Sequence, residues 1–164
     1  MQSLLALAAA HPALNLAAGK TLIVQGLAGG DLYVLESGEL AVERDGVKIA
    51  TISTPGSPVG EMAVILGAAA SATVRTERPT TVRVIRDAVS AIRQDPELSF
   101  RLAWLMANRL DSTSAYLVKL THQHEGKAEH GLLGAILAAL QKPDGYAEVS
   151  RGDLYGTGSI QPPL

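Results

Sequence analysis

Glu61 stands between a glycine and a run of small and apolar residues, Gly60-Glu61-Met62-Ala63-Val64-Ile65-Leu66-Gly67, with Ser71-Ala72-Thr73-Val74-Arg75 close behind. A strand-like run ends at Gly60, the carboxylate follows at once, and about a turn of small residues leads to a second β-branched run. Small residues let backbone N–H groups converge on an anion. A carboxylate beside such a cradle would repel the anion, so its use is to accept a hydrogen bond from a neutral hydroxyl. Carboxylate and cradle together point to a ligand with both a hydroxyl and a phosphate, such as a ribose phosphate.

The stretch resembles the phosphate-binding cassette of cyclic-nucleotide-binding domains, the family of the catabolite activator protein and cyclic-nucleotide-gated channels. That pattern reads Gly-Glu-Leu/Met-Ala-Leu-Leu, a short spacer, then Pro-Arg-Ser-Ala-Thr-Val. Gly60-Glu61-Met62-Ala63 and Ser71-Ala72-Thr73-Val74 match it. The resemblance implies a cAMP-like ligand, with Glu61 accepting from the ribose 2′-hydroxyl. It also implies that Ser71, with the backbone around Ala72 and Thr73, holds the cyclic phosphate. One departure is large: Ala69-Ala70 stands where the family has Pro-Arg, so Ala70 replaces the phosphate-binding arginine. A charge-assisted hydrogen bond contributes roughly 1.5–3 kcal/mol, or about one to two decades of affinity. Arg75 and Arg78 are the substitutes at hand, although strand alternation aims neither obviously at the cradle.

The elements that must hold this site come from a chain of 164 residues with a formal net charge of -2 and 47% hydrophobic content. That is enough for one domain with a real core and a decorated terminus. The charge argues against a broad nucleic-acid footprint. With no cysteine, disulfides, thiol catalysis and thiolate metal sites are excluded. No apolar run reaches the ~18–20 residues of a membrane span, and no Lys or Arg precedes the apolar Leu4 to Ala10. The expectation is a cytoplasmic protein without membrane association.

Ser3 to Ala10 reads as a short helix halted near His11-Pro12. Strands are predicted over Thr21–Val24, Leu32–Leu35, Leu40–Val42, Val47–Ser53, Ala72–Thr76 and Thr81–Ile85. Asp45-Gly46 marks a hairpin, and Pro55-Gly56-Ser57-Pro58 a turn into the cassette. Such spacing predicts a small sandwich or barrel. Asp31-Leu32-Tyr33-Val34-Leu35-Glu36-Ser37-Gly38 also resembles the family's β-roll entry. The fold class that follows is mainly β with flanking helices, a double-stranded β-helix (jelly-roll or β-roll) carrying a long C-terminal dimerisation helix.

Asp87 is placed to cap a helix over Ala88 to Gln94. Asp95-Pro96-Glu97 then starts a longer one, capped and with proline in its first turn, running to about Glu125. Ala103, Met106, Leu110, Thr113, Leu117 and Leu120 form an a/d seam, read as a homodimer helix over residues 95–125. Leu98, Leu102 and Leu105 offer a second apolar face to the roll. Thr113 and Ser114 resemble the activator's pair that contacts adenine; as a bare dipeptide they are also explained by a bond back to a carbonyl one turn earlier or by a polar seam residue that fixes register. Phe100 and Trp104, one turn apart, are read as packing residues whose shared face is buried.

The resemblance covers roughly Leu16 to Leu120, giving a division into residues 1–125 and a helix with a Gly/Pro-rich tail over 126–164. About forty residues after the long helix leave no room for a helix-turn-helix, so no DNA is expected. His122, His124 and His130 resemble a metal cluster, but on a helix the first two face apart, and no metal is expected. A cupin-like metalloenzyme is disfavoured because no histidine occurs between His11 and His122. The leading expectation is a non-enzymatic regulatory sensor that binds cAMP or a related cyclic nucleotide weakly, is read by an unidentified protein partner, and uses Gly60, Glu61, Met62, Ala70, Ser71, Ala72, Thr73, Thr113 and Ser114. The alternative is a ligand-free dimeric scaffold on the same fold.

Overall fold

The computed structural model describes residues 2–123. Ser3 Oγ accepts from the Ala6 N–H at 3.1 Å and caps helix α1, Leu4–Ala8. Strands β1 (Ala13–Leu16), β2 (Thr21–Ile23), β3 (Leu32–Ser37), β4 (Leu40–Arg44), β5 (Val47–Ile52) and β6 (Pro58–Val59) follow. Helix α2 (Glu61–Leu66) interrupts them before β7 (Thr73–Thr76) and β8 (Thr80–Ile85). Helices α3 (Ala88–Gln94) and α4 (Pro96–Gln123) complete the described chain.

Among the described residues the strands pair into two four-stranded sheets, ordered β1-β8-β3-β6 and β2-β7-β4-β5. All neighbours are antiparallel. This is the expected β-roll with flanking helices. Strand β3 explains its stability, because alternate side chains leave on opposite faces. Leu32 and Val34 join Leu4, Ala8, Ile85, Leu98 and Leu102 in a core beneath the helices. Leu35 joins Leu40, Val59, Val74, Val82 and Val84 in a second core. Leu98 and Leu102 are thus buried on the roll, as their spacing predicted, with Leu105 packed against the same cluster.

Two strands were not predicted. β1 carries no β-branched residue and pairs only with β8, while β6 is two residues long and starts with proline. Pro58 offers no N–H to a ladder, which the edge position of β6 tolerates. The Asp45-Gly46 hairpin is as expected, both residues having positive φ (52° and 79°).

Asp95 caps α4 through Oδ1, which accepts from the N–H groups of Glu97 at 3.0 Å and Leu98 at 3.1 Å. Asp87 behaves otherwise and corrects the expectation. It occupies the cap position of α3 in a left-handed conformation, φ 45°, and its side chain makes no capping bond. Its own N–H instead donates to Asp31 Oδ1 at 3.3 Å, and the Ala88 N–H donates to the Gly30 carbonyl at 2.8 Å. The loop before β3, and not the Asp87 side chain, serves the start of α3.

Phe100 and Trp104 also depart from expectation. They are 61% and 43% exposed, so their shared face is not covered by the described residues. The Arg101 guanidinium carbon lies 4.5 Å from the Trp104 ring centroid, a cation–π contact on the surface of α4. The chain divides into two units, Met1–Ala107 and Asn108–Leu164, with the break inside α4. His124, Glu125, His130 and the expected helix and tail over 126–164 lie outside the described residues.

Candidate ligand-binding site

The cassette begins where β6 hands the chain to α2. Gly60 caps α2 with φ 90° and ψ -7°, a conformation that side chains strain. A Cβ there would also lie 3.1 Å from the Asp31 carbonyl oxygen and 3.3 Å from Ile23 Cδ1. Glycine at this position therefore has a steric reason independent of any ligand. Glu61 follows and is only 5% exposed, an unusual setting for a carboxylate. Met62, on the same short helix, is half exposed, whereas Ala63 and Val64 are buried. Gly67, with φ 59°, closes the helix and donates its N–H to the Ala63 carbonyl.

Ala70 is fixed from both sides by the turn between β2 and β3. Its N–H donates to the Leu27 carbonyl at 2.9 Å, and its carbonyl accepts from the Gly26 N–H at 2.8 Å. Its methyl group lines a cavity of about 410 Å³ shared with Gly60 and Ala63. The β2–β3 segment lines the same cavity, through residues that include Ile23, Leu27, Asp31 and Tyr33. Glu61, Met62, Ser71, Ala72 and Thr73 do not line this cavity.

Ser71, Ala72 and Thr73 are half-buried on the approach to β7. Thr73 Oγ1 accepts from the Gln25 N–H at 3.0 Å. Gln25 in turn binds the β4–β5 hairpin, donating through Nε2 to Asp45 Oδ1 at 2.7 Å and accepting from the Asp45 N–H at 2.9 Å. Thus the turn before β3, the hairpin tip and the end of the cassette are tied together. Sequence reasoning missed this clamp, since a glutamine before a glycine turn carries no periodic signal.

Neither candidate for the lost arginine faces an open site. Arg75 Nε donates to Glu43 Oε2 at 3.3 Å, and Arg78 Nε lies 3.6 Å from Glu39 Oε1. Lys48, Arg83 and Arg86 are likewise paired, with Glu77, Glu36 and Asp31. Asp31 and Tyr33 are the ionisable side chains on the cavity wall. Burial raises the Tyr33 phenol above its usual range, the Asp31 charge adds to this, and Arg86 opposes it.

Thr113 and Ser114 belong to the second unit and are described by themselves. Thr113 is exposed and its Oγ1 donates to the Arg109 carbonyl at 2.8 Å, the backbone bond that its place in a helix allows. Ser114 is half-buried. Among the described residues no three His, Asp or Glu side chains gather as a metal site would require, and no helix is long and apolar enough to cross a membrane.

Comparison with known proteins agrees with this geometry. Residues 13–92 match the model of the cyclic nucleotide-binding domain. A stretch of 61 residues is 41% identical to the cAMP-dependent protein kinase regulatory subunit of Yarrowia lipolytica, spanning 37% of this chain and 16% of that protein. The fold is similar to the catabolite activator protein of Thermus thermophilus, with TM-score 0.60 and 27% identity over 72% of this chain and 59% of that one. It is also similar to the N-terminal domain of a transcriptional regulator from Streptomyces coelicolor A3(2), with TM-score 0.51 and 25% identity over 68% and 81% of the two chains. The β-roll over residues 13–92 is therefore a domain of the cyclic-nucleotide-binding family, a class of regulatory modules. The chain spans only a small part of the curated relative and about three-fifths of the activator.

Proposed function

We propose that this domain is a regulatory sensor whose cassette binds cAMP or a related cyclic nucleotide weakly. Glu61 accepts from the ribose 2′-hydroxyl, and Ser71 with the backbone of Ala72 and Thr73 holds the phosphate without a guanidinium. Gly60 and Met62 frame the sugar, and Thr113 and Ser114 reach the base. The observation that carries this reading is the buried Glu61 directly after a glycine with positive φ, within residues that match the family model. Residues 95–125 form the homodimer contact, for which the 47% exposure of Leu110 on the a/d seam is the support. An unidentified cytoplasmic protein partner reads the liganded state, and the module itself performs no catalysis. Ligand changes the readout only if it binds one conformation better than another.

A second reading is favoured by a specific observation. Arg75 and Arg78 are engaged with carboxylates and the Thr73 hydroxyl already accepts a backbone N–H, which suits a scaffold that has lost its ligand. Thermal unfolding distinguishes the two. A ligand at 100 times its Kd stabilises by about 2.7 kcal/mol, and at lower saturation by less. The sensor reading expects Tm to climb with cAMP or cGMP through the millimolar range. A flat Tm with both nucleotides rejects it and leaves the scaffold.

A further inference from the structure

Two side chains outside the proposed cradle hold the segment that forms it. Strand β7 lies between β2 and β4 in its sheet and runs antiparallel to both. Gln25 follows the end of β2 and Asp45 the end of β4, so they meet just beyond Thr73, the first residue of β7. Gln25 Nε2 donates to Asp45 Oδ1 at 2.7 Å, and the Asp45 N–H donates to Gln25 Oε1 at 2.9 Å. From the same turn the Gln25 N–H donates to Thr73 Oγ1 at 3.0 Å and the Gly26 N–H to the Ala70 carbonyl at 2.8 Å. The Leu27 carbonyl accepts from the Ala70 N–H at 2.9 Å. Residues 25–27 thus grip both ends of the segment 70–73, and Asp45 grips Gln25. Asp45 is exposed, so water replaces a lost partner there and the pair adds little to global stability. Its effect is on placement. With alanine at position 70, an anion meets only a hydroxyl and backbone N–H groups, and those point where the main chain points.

We infer that Gln25 is a positioning residue for the cradle, and that through Asp45 the tip of the β4–β5 hairpin sets the place of residues 70–73. This role rests on the sensor reading above, since a scaffold without ligand has no cradle to position.

Amide hydrogen exchange of the full chain without nucleotide reads the brace at the N–H groups of residues 25, 26 and 70. Gln25→Glu removes the Nε2 donor and sets two carboxylates face to face, so exchange at these amides, corrected for intrinsic rates, should rise about tenfold. Asp45→Asn keeps an acceptor for Nε2 and suits the left-handed backbone there, φ 52°, so exchange should change by less than about threefold. Together the two substitutions swap carboxylate and amide and rebuild both bonds. Protection in the double variant should return to within about threefold of wild type, a non-additivity that only a direct pair gives. Exchange at Leu35, whose N–H donates to the Ser57 carbonyl at 2.9 Å, should not move. Calorimetric affinity for cAMP in the same proteins should follow the same order. An equal rise at Leu35 would make the pair a stability contact only, and a double variant as loose as Gln25→Glu would break the link to Asp45. Either result overturns the inference, as does one cAMP affinity common to all the proteins. The expected exchange pattern with no cAMP uptake by any of them overturns the sensor reading, and with it the role in nucleotide binding, while the brace itself stands.

Discussion

Arg75 on β7 and Glu43 on β4 pair diagonally across the two strands, Glu43 lying opposite Thr73, with Nε donating to Oε2 at 3.3 Å. The cation that follows the cassette most closely in sequence is therefore committed to a carboxylate, and the position that should carry the phosphate guanidinium is a buried alanine held by its own backbone. The Gly26 and Leu27 bonds to Ala70 do not depend on its side chain, so a longer residue can be introduced without removing them.

Restoring the guanidinium should restore affinity. Ala70→Arg is expected to tighten cAMP binding by about one to two decades, the value of a charge-assisted contact. Glu43→Gln, which releases Arg75 without moving it to position 70, should change affinity by less than threefold. Calorimetric titration of both variants checks this. An improvement with Glu43→Gln and none with Ala70→Arg would show that Arg75 is the anion partner after all.

Two glycines with positive φ separate steric from conformational cost. At Gly38, φ 97°, a Cβ would fall 2.6 Å from the Pro79 carbonyl oxygen, whereas at Gly46, φ 79°, nothing lies within 4 Å. Gly46→Ala should cost about 1 kcal/mol from backbone strain alone. Gly38→Ala should cost more than ~3 kcal/mol, since backbone of the β7–β8 turn must move. Urea denaturation measures both, and equal losses would refute the close approach at Gly38.

Acid should weaken one outer tie of the roll. Arg83 donates to Glu36 through Nε at 2.6 Å and through Nη2 at 3.0 Å, and it also reaches the His11 carbonyl at 3.2 Å. These bonds, with the guanidinium charge assisting and burial opposing, hold the Glu36 carboxyl below the usual carboxylate range. A lowered folded-state value stabilises the fold above the unfolded carboxylate's range, roughly pH 4.3, and is lost as pH falls through the lowered value. The stability difference between the wild type and Glu36→Gln should therefore be constant near pH 7 and shrink below about pH 4.5. A difference that does not vary from pH 7 to pH 3 would contradict the pairing.

The two helix starts predict opposite responses. Asp95→Ala removes an acceptor used by two N–H groups and should cost about 1 kcal/mol. Asp87→Gly relieves a left-handed aspartate whose side chain caps nothing, so stability should be unchanged or higher by up to ~1 kcal/mol. Denaturant midpoints compare them directly. A larger loss at Asp87 would mean that its side chain does more than the hydrogen bonds indicate.

These pairs also show what was legible in the sequence. Asp95-Pro96 was readable because its cap is satisfied by local bonds, and Asp45-Gly46 because the turn itself demands positive φ at both positions. The likeness to the cyclic nucleotide-binding domain was readable because glycine, a carboxylate and small residues sit consecutively at residues 60–63. Asp87 was misread because the loop at Gly30 and Asp31, distant in sequence, supplies what a cap would supply. The short edge strands β1 and β6 left no alternation to detect, and pairing with β8 and β3 created them. Phe100 and Trp104 were misread because a one-turn spacing places two rings on one face of a helix without saying whether anything covers that face. The cavity was invisible for a related reason, since Asp31 and Tyr33 meet Ala63 and Ala70 only through the fold.

Calorimetric titration of cAMP into nucleotide-free wild type and Glu61→Gln tests the central claim most directly. Weak saturable heat in the wild type, reduced at least tenfold by Glu61→Gln, is the predicted result. No heat in the wild type, or heat indifferent to Glu61→Gln, would contradict a cassette that grips the ribose through its buried carboxylate.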